Sequence, residues 1–218
     1  MLLNFEFQKS AEPQSKPTIV LIHGLFGSLS NLGMIARVLQ LEYSVLQLDV
    51  RNHGKSAHDK EMNYTVMAQD VIETLDHLNI EQFSVIGHSM GGKIAMKLTE
   101  LAPKRLQNLI VLDMCPFAYQ ENHHDSIFKA LFAVEQANVA SRKEAYEIMQ
   151  NFLKEEMVIQ FLLKGFNKGR WLFNVQFIFD HYADIIGWQA LKLWSKRTLF
   201  IRGGQSPYIS KDEHIKAI

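Results

Sequence analysis

The sequence lacks several features that would place it in a specialised class of protein. Its 218 residues contain a single cysteine, Cys115, so no intrachain disulfide can form and nothing indicates an oxidising compartment. Lys plus Arg and Asp plus Glu number 23 each, so there is no basic excess of the kind that favours a nucleic-acid partner. No apolar run reaches the roughly 18 residues of a membrane span. We therefore expect a soluble cytoplasmic protein, and the sequence leaves its oligomeric state open.

The first ten residues, MLLNFEFQKS, also lack the basic start and long apolar run of a signal peptide. Leu3, Phe5 and Phe7 alternate with polar residues instead, and this period of two predicts a half-buried strand. The chain is long enough for one domain with a sizeable core and an inserted sub-domain.

Short apolar runs alternate with helical patterns along the chain. The runs TIVLIHG, SVLQLDV, FSVIGHS, NLIVLDM and RTLFIRG are typical of strands buried on both faces. Their alternation with helices predicts an α/β fold, in which helices flank a mostly parallel sheet. Between Asp113 and Arg197 the pattern is helical with no convincing strand, which predicts a helical cap over the carboxyl ends of the strands. The expected domains are a core, 1–116 with 195–218, and a cap, 117–194.

The segment VIGHSMGGK, residues 85–93, places Ser89 between Gly87 and Gly91 where a buried strand gives way to a helix. In a nucleophile elbow, such a serine is presented above the sheet, and the helix N-terminus behind it favours developing negative charge. A G-x-S-x-G pattern also arises by chance, and here the strand before it and the helix after it favour the elbow. Ser89 is therefore the predicted nucleophile.

HGLFG, residues 23–27, follows the first central strand, where a loop can supply a donor to an oxyanion. We expect the backbone N–H groups of Leu25 and Met90 to be the two donors. His23, beside a glycine, suits a turn-stabilising role better than that of a general base. His88 precedes the nucleophile directly, so its side chain is expected to point away from Ser89.

Three segments, HGLFGS, DVRNHGKS and GHSMGGK, resemble the α/β-hydrolase superfamily in their order and in the elements they occupy. The variant D-x-R-N-H-G-x-S, followed by YTVMAQDV, is more similar to the YbfF-type bacterial esterases, relatives of the mitochondrial abhydrolase-domain proteins. This resemblance runs along essentially the whole chain. It implies a helical cap inserted after the sixth strand and hydrolysis of esters or thioesters without a cofactor. It also implies that Asp49, Arg51 and Asn52 shape a loop.

The acid that orients the base has two candidate positions. Most superfamily members carry it in a G-x-x-D pattern after the strand read here as TLFIRG, where this chain has Ser206. A serine cannot hold an imidazolium by charge. Asp113 ends the strand after the nucleophile strand, and a spacing of ~4.8 Å between strands lets it reach a histidine beside Ser89. The resembling esterases use an Asp here, which implies Asp113, although this residue could instead only cap the following turn.

The base is not found in the sequence. The triad order in this fold is serine, acid, histidine, and in the family the histidine follows a final strand. The printed sequence ends in SKDEHIKAI, where His214 is expected to be a solvated helix residue. We therefore expect the last strand, the last helix and the catalytic histidine beyond residue 218. The edge of TLFIRG is then expected to be exposed, paired with a neighbouring molecule or covered by a tail. A polypeptide without that histidine would have little or no activity.

Most of the aromatic residues lie between Phe117 and Trp194, in the expected cap. Some could line an apolar acyl pocket, although each could equally belong to the core of the cap alone. The candidates are Phe26, Phe128, Phe132, Phe161 and Trp188. The adjacent His123 and His124 lack a third ligand at a usual spacing, so no metal site is predicted.

The sequence thus predicts a serine hydrolase that cleaves a small carboxylic ester or thioester through an acyl-serine. A carbon–carbon bond hydrolase or a lyase on the same fold stays open as an alternative, because fold does not fix function. So does a catalytically inactive binding protein.

Overall fold

The computed structural model describes residues 1–10, 16–119, 124–204, 206 and 209. The first part of the chain forms β1 (Phe5–Gln8), β2 (Thr18–Ile22), α1 (Gly33–Leu39), β3 (Val45–Leu48), α2 (Tyr64–His77), β4 (Phe83–His88), α3 (Met90–Leu101) and β5 (Leu106–Leu112). A 3-10 helix, Leu29–Leu32, precedes α1. The remainder forms α4 (Asp125–Ala137), α5 (Arg142–Met149), α6 (Glu156–Leu163), β6 (Phe166–Asn167), β7 (Arg170–Trp171), α7 (Val175–Asp180), α8 (Tyr182–Ile186) and β8 (Thr198–Ile201).

Six of these strands form one sheet in the order β1-β3-β2-β4-β5-β8. Every neighbouring pair is parallel except β1 with β3. The central strands β2 and β3 are buried along their whole length, as their unbroken apolar runs predicted. Strand β1 instead alternates between partly buried and exposed side chains, which matches its period of two. The predicted mostly parallel sheet is confirmed.

Helices cover both faces of the sheet because successive side chains of a strand point to opposite sides. In β2, Val20 and Ile22 belong to the large core that includes α2, α3 and the cap. Ile19 and Leu21 belong to a smaller core beneath α1. Helix α2 begins where Asn63 Oδ1 accepts a hydrogen bond from the Val66 N–H at 3.0 Å. None of the described helices has the length and apolarity needed to cross a membrane.

Helices α4 to α8 form the cap, and they all fall within the expected range 117–194. Two expectations about it need correction. The cap follows the fifth strand of the described sheet and not the sixth, because the described residues before it supply only β1 to β5. The cap also contains a hairpin of β6 and β7, where no strand was expected. Each of its strands has only two residues, which is too few to show the alternation of apolar and polar residues that predicts a strand. The turn residues Lys168 and Gly169 have positive φ, as in tight hairpin turns.

Strand β8 pairs with β5 on one side, and no described strand pairs with its other side. Leu199 and Ile201 are 51% and 47% exposed. Within the described part of the chain, the outer edge of β8 is therefore unpaired.

Candidate active site

Ser89 lies on a strained turn between β4 and α3. Its φ of 53° and ψ of −122° fall where a residue with a side chain is rarely found, and such strain is typical of functional sites. Its N–H donates to the Leu112 carbonyl of the neighbouring strand at 3.0 Å, and the Gly92 N–H donates to the Ser89 carbonyl at 2.8 Å. The side chain is half-buried. The backbone thus holds Ser89 from both sides and leaves the hydroxyl at the carboxyl end of the sheet.

The glycines of the elbow are required by close packing of the backbone. A Cβ added at Gly91 would lie 2.3 Å from the Ile22 carbonyl oxygen of β2. A Cβ at Gly87 would lie 2.2 Å from the Gly91 carbonyl oxygen. Both distances are far inside van der Waals contact, so no larger residue fits at either position without displacing the strand or the helix.

Among the described residues, the two predicted oxyanion donors have no hydrogen-bond acceptor. The backbone N–H groups of Leu25 and Met90 donate to no residue in the part of the chain that the structure describes. Both residues line the same cavity as Ser89. An orphan N–H inside a protein is rare unless a ligand or water uses it. Each of these two groups can therefore donate to a further acceptor.

Two buried histidines hold the loop that carries Leu25. His23 Nδ1–H donates to the Gly24 carbonyl at 2.7 Å, and His23 Nε2 accepts from the Val50 N–H at 3.0 Å. His53 Nε2 accepts from the Phe26 N–H at 3.1 Å. Burial lowers the pKa of His23 to about 4 and that of His53 to about 3, so both rings are neutral at pH 7. His23 serves the turn and has no ring nitrogen left for Ser89.

The loop after β3 is built by the three residues that the resemblance assigned to structure. Asp49 Oδ1 accepts a hydrogen bond from the Leu29 N–H at 2.7 Å. Arg51 binds the buried Asp70 through Nε at 2.6 Å and through Nη2 at 2.8 Å. The Asn52 side-chain amide donates to a carbonyl of the same loop at 2.9 Å. Asp49 and Arg51 thus tie the loop to the 3-10 helix and to α2, and Asn52 closes the loop on itself.

Asp113 stands beside Ser89 at the end of the adjacent strand. His88 and Leu112 are partners in the parallel pairing of β4 with β5, so Ser89 and Asp113 follow at the same level. The Asp113 N–H donates to the Ile201 carbonyl at 2.7 Å. Asp113 Oδ1 accepts from the Gly203 N–H at 2.9 Å, and Oδ2 accepts no hydrogen bond from a described residue. One carboxylate oxygen is thus left for a further donor.

No histidine in the described ranges forms a hydrogen bond with Ser89 Oγ. His124 does line the cavity at Ser89, and its Nδ1 lies 2.5 Å from the Tyr182 hydroxyl. His123 and His214 lie outside the described residues.

Within the described residues, no group of three or more His, Cys, Asp or Glu side chains could hold a metal ion.

The cavity at Ser89 is narrow, at about 40 Å³, and mostly apolar. Its lining consists of Leu25, Tyr64, Ser89, Met90, Met114, Tyr119, His124, Tyr182, Ile185 and Ile186. The five aromatic residues proposed for an acyl pocket are not among them. Phe26 and Phe128 pack on each other at 5.6 Å between ring centres, and Phe128 and Phe132 pack on Phe179. Phe161 is half-buried in the large core, and Trp188 packs against Tyr64.

The lining residues that the sequence analysis did not single out come from three places. Tyr64 is the first residue of α2, and Met114 and Tyr119 follow β5. Tyr182, Ile185 and Ile186 lie on α8. The aromatic content of the cap was a signal for Tyr119 and Tyr182. The isoleucine pair carries no such signal, because only the packing of α8 on the core brings it to Ser89.

Residues 17–136 match the family described as alpha/beta hydrolase fold, and the chain belongs to this family. It is similar to the esterase YbfF of Escherichia coli, with 47% identity over 211 residues, 97% of this chain and 83% of that protein. A putative esterase/lipase of Haemophilus influenzae is 42% identical over 220 residues, 100% of this chain and 76% of that protein. A solved structure of a marine microorganism esterase superposes with a TM-score of 0.90 at 31% identity, over 99% of this chain and 85% of that one. These findings confirm the predicted fold and the resemblance to bacterial esterases.

Proposed function

We propose that the protein hydrolyses small carboxylic esters or thioesters through an acyl-serine on Ser89, without a cofactor. The observation that carries the proposal is the strained turn of Ser89 beside the unpaired N–H groups of Leu25 and Met90. Hydrogen-bond donors fixed around a nucleophile suit an acyl transfer, in which the carbonyl oxygen becomes negatively charged. The names of the two bacterial relatives, an esterase and a putative esterase/lipase, and of the solved esterase structure support the same reaction.

In the proposed mechanism, Ser89 Oγ attacks the acyl carbon while a base takes its proton. The carbonyl oxygen becomes an oxyanion that accepts hydrogen bonds from the Leu25 and Met90 N–H groups. The alcohol or thiol then leaves with a proton, and water releases the acid in a second addition and elimination. Asp113 orients the base, an imidazole, through the carboxylate oxygen that Gly203 leaves unused. A histidine supplies that imidazole in this fold, and none in the described ranges forms a hydrogen bond with Ser89 Oγ.

The cavity limits the acyl group. Met114, Ile185 and Ile186 give it apolar walls, and its small volume favours short acyl chains over long ones. In this proposal, five aromatic residues support those walls by packing behind them and do not contact the substrate. They are Phe26, Phe128, Phe132, Phe161 and Trp188. A cytoplasmic location stays a prediction of the sequence.

The test is hydrolysis of p-nitrophenyl acetate, butyrate and octanoate by the whole protein and by Ser89→Ala. We expect Ser89→Ala to lose nearly all turnover while keeping its circular dichroism spectrum and melting temperature. Ser84→Ala is the matched control, because Ser84 lies on the same strand and only accepts a hydrogen bond from Asn108. If Ser89→Ala retains the turnover of the wild type, Ser89 is not the nucleophile.

A further inference from the structure

Lys93 is a charged residue in the interior. It lies on α3, one turn after Ser89, and is 1% exposed. No carboxylate among the described residues pairs with its ammonium group. A buried charge without compensation is costly, so its surroundings must supply the interactions that water would otherwise give.

Those interactions come from two carbonyls at the end of α8 and from three aromatic rings. Lys93 Nζ donates to the carbonyl of Ile186 at 3.1 Å and to that of Gly187 at 2.9 Å. These carbonyls end α8 and have no partner within the helix. The ammonium also lies 4.8 Å from the ring centre of Tyr119, 5.6 Å from that of Tyr64 and 5.7 Å from that of Trp188. Aromatic faces attract a cation, and more strongly when it is desolvated.

The same short segment is held by two further bonds. The Tyr64 hydroxyl donates to the Ile185 carbonyl at 2.5 Å, and the Tyr119 N–H donates to the Ile186 carbonyl at 2.9 Å. Three consecutive carbonyls, 185 to 187, are therefore fixed by groups outside the cap helices. The side chains of Ile185 and Ile186 form a wall of the cavity at Ser89.

We propose that Lys93 is a positioning residue that fixes the 185–187 turn of the cap and thereby sets the size of the acyl cavity. The proposal rests on the proposed esterase function. Lys93 reaches the wall from behind, through main-chain carbonyls, and contacts no reacting atom. Because α3 also carries the nucleophile at its start, one helix fixes both Ser89 and the wall that faces it.

Hydrogen exchange of the backbone amides of residues 182–191 tests the anchor without a substrate. Lys93→Met keeps the length of the side chain and removes its charge, and we expect exchange in this segment to rise several-fold. Lys93→Arg, which keeps a charge, should restore most of the protection. Lys129→Met changes an exposed lysine of the cap and should leave exchange as in the wild type.

Kinetics test the effect on the cavity. In Lys93→Met we expect the KM for p-nitrophenyl acetate to rise about 5- to 10-fold while kcat changes less than about 2-fold, because binding and not chemistry is altered. The preference for acetate over octanoate should fall. Lys93→Arg should return both values towards those of the wild type, which general damage to the fold would not do.

The pH dependence of the unmodified protein gives a second readout. Burial lowers the pKa of Lys93 to about 8. The groups facing it are Tyr64 from α2, whose pKa is raised well above 10, Tyr119, and the uncharged Trp188. The KM for acetate should therefore rise as the pH passes through about 8 in the wild type, and this rise should be absent in Lys93→Arg.

Unchanged exchange and an unchanged acyl preference in Lys93→Met would overturn the proposal. If Lys93→Met does not fold, the same measurements on Lys93→Gln, which is shorter and uncharged, decide the matter, and exchange and acyl preference like those of the wild type would overturn the proposal. Wild-type protein without esterase activity would contradict the proposed function instead. In that case the exchange measurement would still decide whether Lys93 holds the turn.

Discussion

The backbone N–H of Gly203 donates a 2.9 Å hydrogen bond to Asp113 Oδ1. This bond joins the loop after β8 to the end of β5. Ser206 belongs to the same loop, and its N–H donates to the Gly203 carbonyl at 3.1 Å. The two candidate positions of the acid, 113 and 206, are therefore both bonded to Gly203. The loop that carries the acid in most superfamily members here supplies a donor to Asp113.

Asp113→Asn is expected to lower kcat by about 10²- to 10⁴-fold, because a neutral amide favours the wrong imidazole tautomer and cannot stabilise an imidazolium. The fold should persist, since the amide oxygen can still accept from Gly203. Steady-state kinetics on p-nitrophenyl butyrate, with Ser206→Ala as the control, measures the effect. Activity within a few-fold of the wild type would leave Asp113 only a role in the turn.

Asp49→Asn should act through folding. The Asp49 carboxylate accepts hydrogen bonds from Leu29, Lys55 and Asn4, and an amide replaces one accepting oxygen by a donor. We expect a lower melting temperature with near-normal kcat for the folded fraction. A kcat reduced as much as that of Asp113→Asn, at an unchanged melting temperature, would show that Asp49 takes part in the chemistry.

Gly91→Ala should prevent the elbow from forming, because the new Cβ would lie 2.3 Å from the Ile22 carbonyl oxygen and 2.5 Å from that of His23. Neither atom belongs to a flexible side chain, so the strand and helix must separate. We expect little soluble protein, or a strongly lowered melting temperature. Gly33→Ala is the control, because nothing lies within 4 Å of its added Cβ. In a helix it should stabilise the fold by about 0.5–1 kcal/mol.

The buried histidines should make the protein sensitive to acid. The pKa of His23 in the folded state is about 4, against 6.5 for an exposed histidine, and that of His53 is about 3. The unfolded chain therefore binds protons first as the pH falls. The stabilisation that neutral His23 and His53 give is present above pH 6.5, and it is lost as the pH falls towards 4 and 3 respectively.

Urea unfolding between pH 7.5 and 4.5 measures this loss as the slope of unfolding free energy against pH. His53→Gln, whose amide oxygen can still accept from Phe26, should have a smaller slope than the wild type. His77→Gln changes an exposed histidine of α2 and should keep the wild-type slope. Equal slopes in all three proteins would contradict the assignment.

The buried pair of Arg51 and Asp70 should be important for stability. Arg51 is 6% exposed and Asp70 1%, and removal of one partner of such a pair costs about 3–5 kcal/mol. Asp70 also binds the N-terminal ammonium group of Met1 at 2.6 Å, so we expect a loss near the lower figure. Arg51→Met should lower the urea midpoint accordingly. Lys16→Met removes a contact with Glu42 at the surface, where the side chains are 46% and 68% exposed, and a loss of at most about 1 kcal/mol is expected there. Similar losses in both variants would show that burial does not decide the strength of the pair.

The sequence predicted the sheet because strands buried on both faces leave a strong signal, and it predicted the elbow because Ser89 needs glycines on both sides. The fold of the cap was harder to predict. The β6–β7 hairpin is too short for a period. Lys93 could not be recognised either, because a lysine on a helix normally faces water. Only tertiary packing buries it, through three aromatic rings and the end of α8. Ile185 and Ile186 reach Ser89 through the same packing.

The neutral rings of His23 and His53 have a further use in spectroscopy. Each Nδ1–H donates to a carbonyl and is shielded from solvent, with the residues 1% and 0% exposed. Such protons exchange slowly with water, so they should give resolved signals in proton NMR spectra. His53 also binds the Phe26 N–H, next to the Leu25 donor. Its signal should shift when an ester occupies the cavity, so that binding in Ser89→Ala can be followed with substrates that the variant cannot turn over.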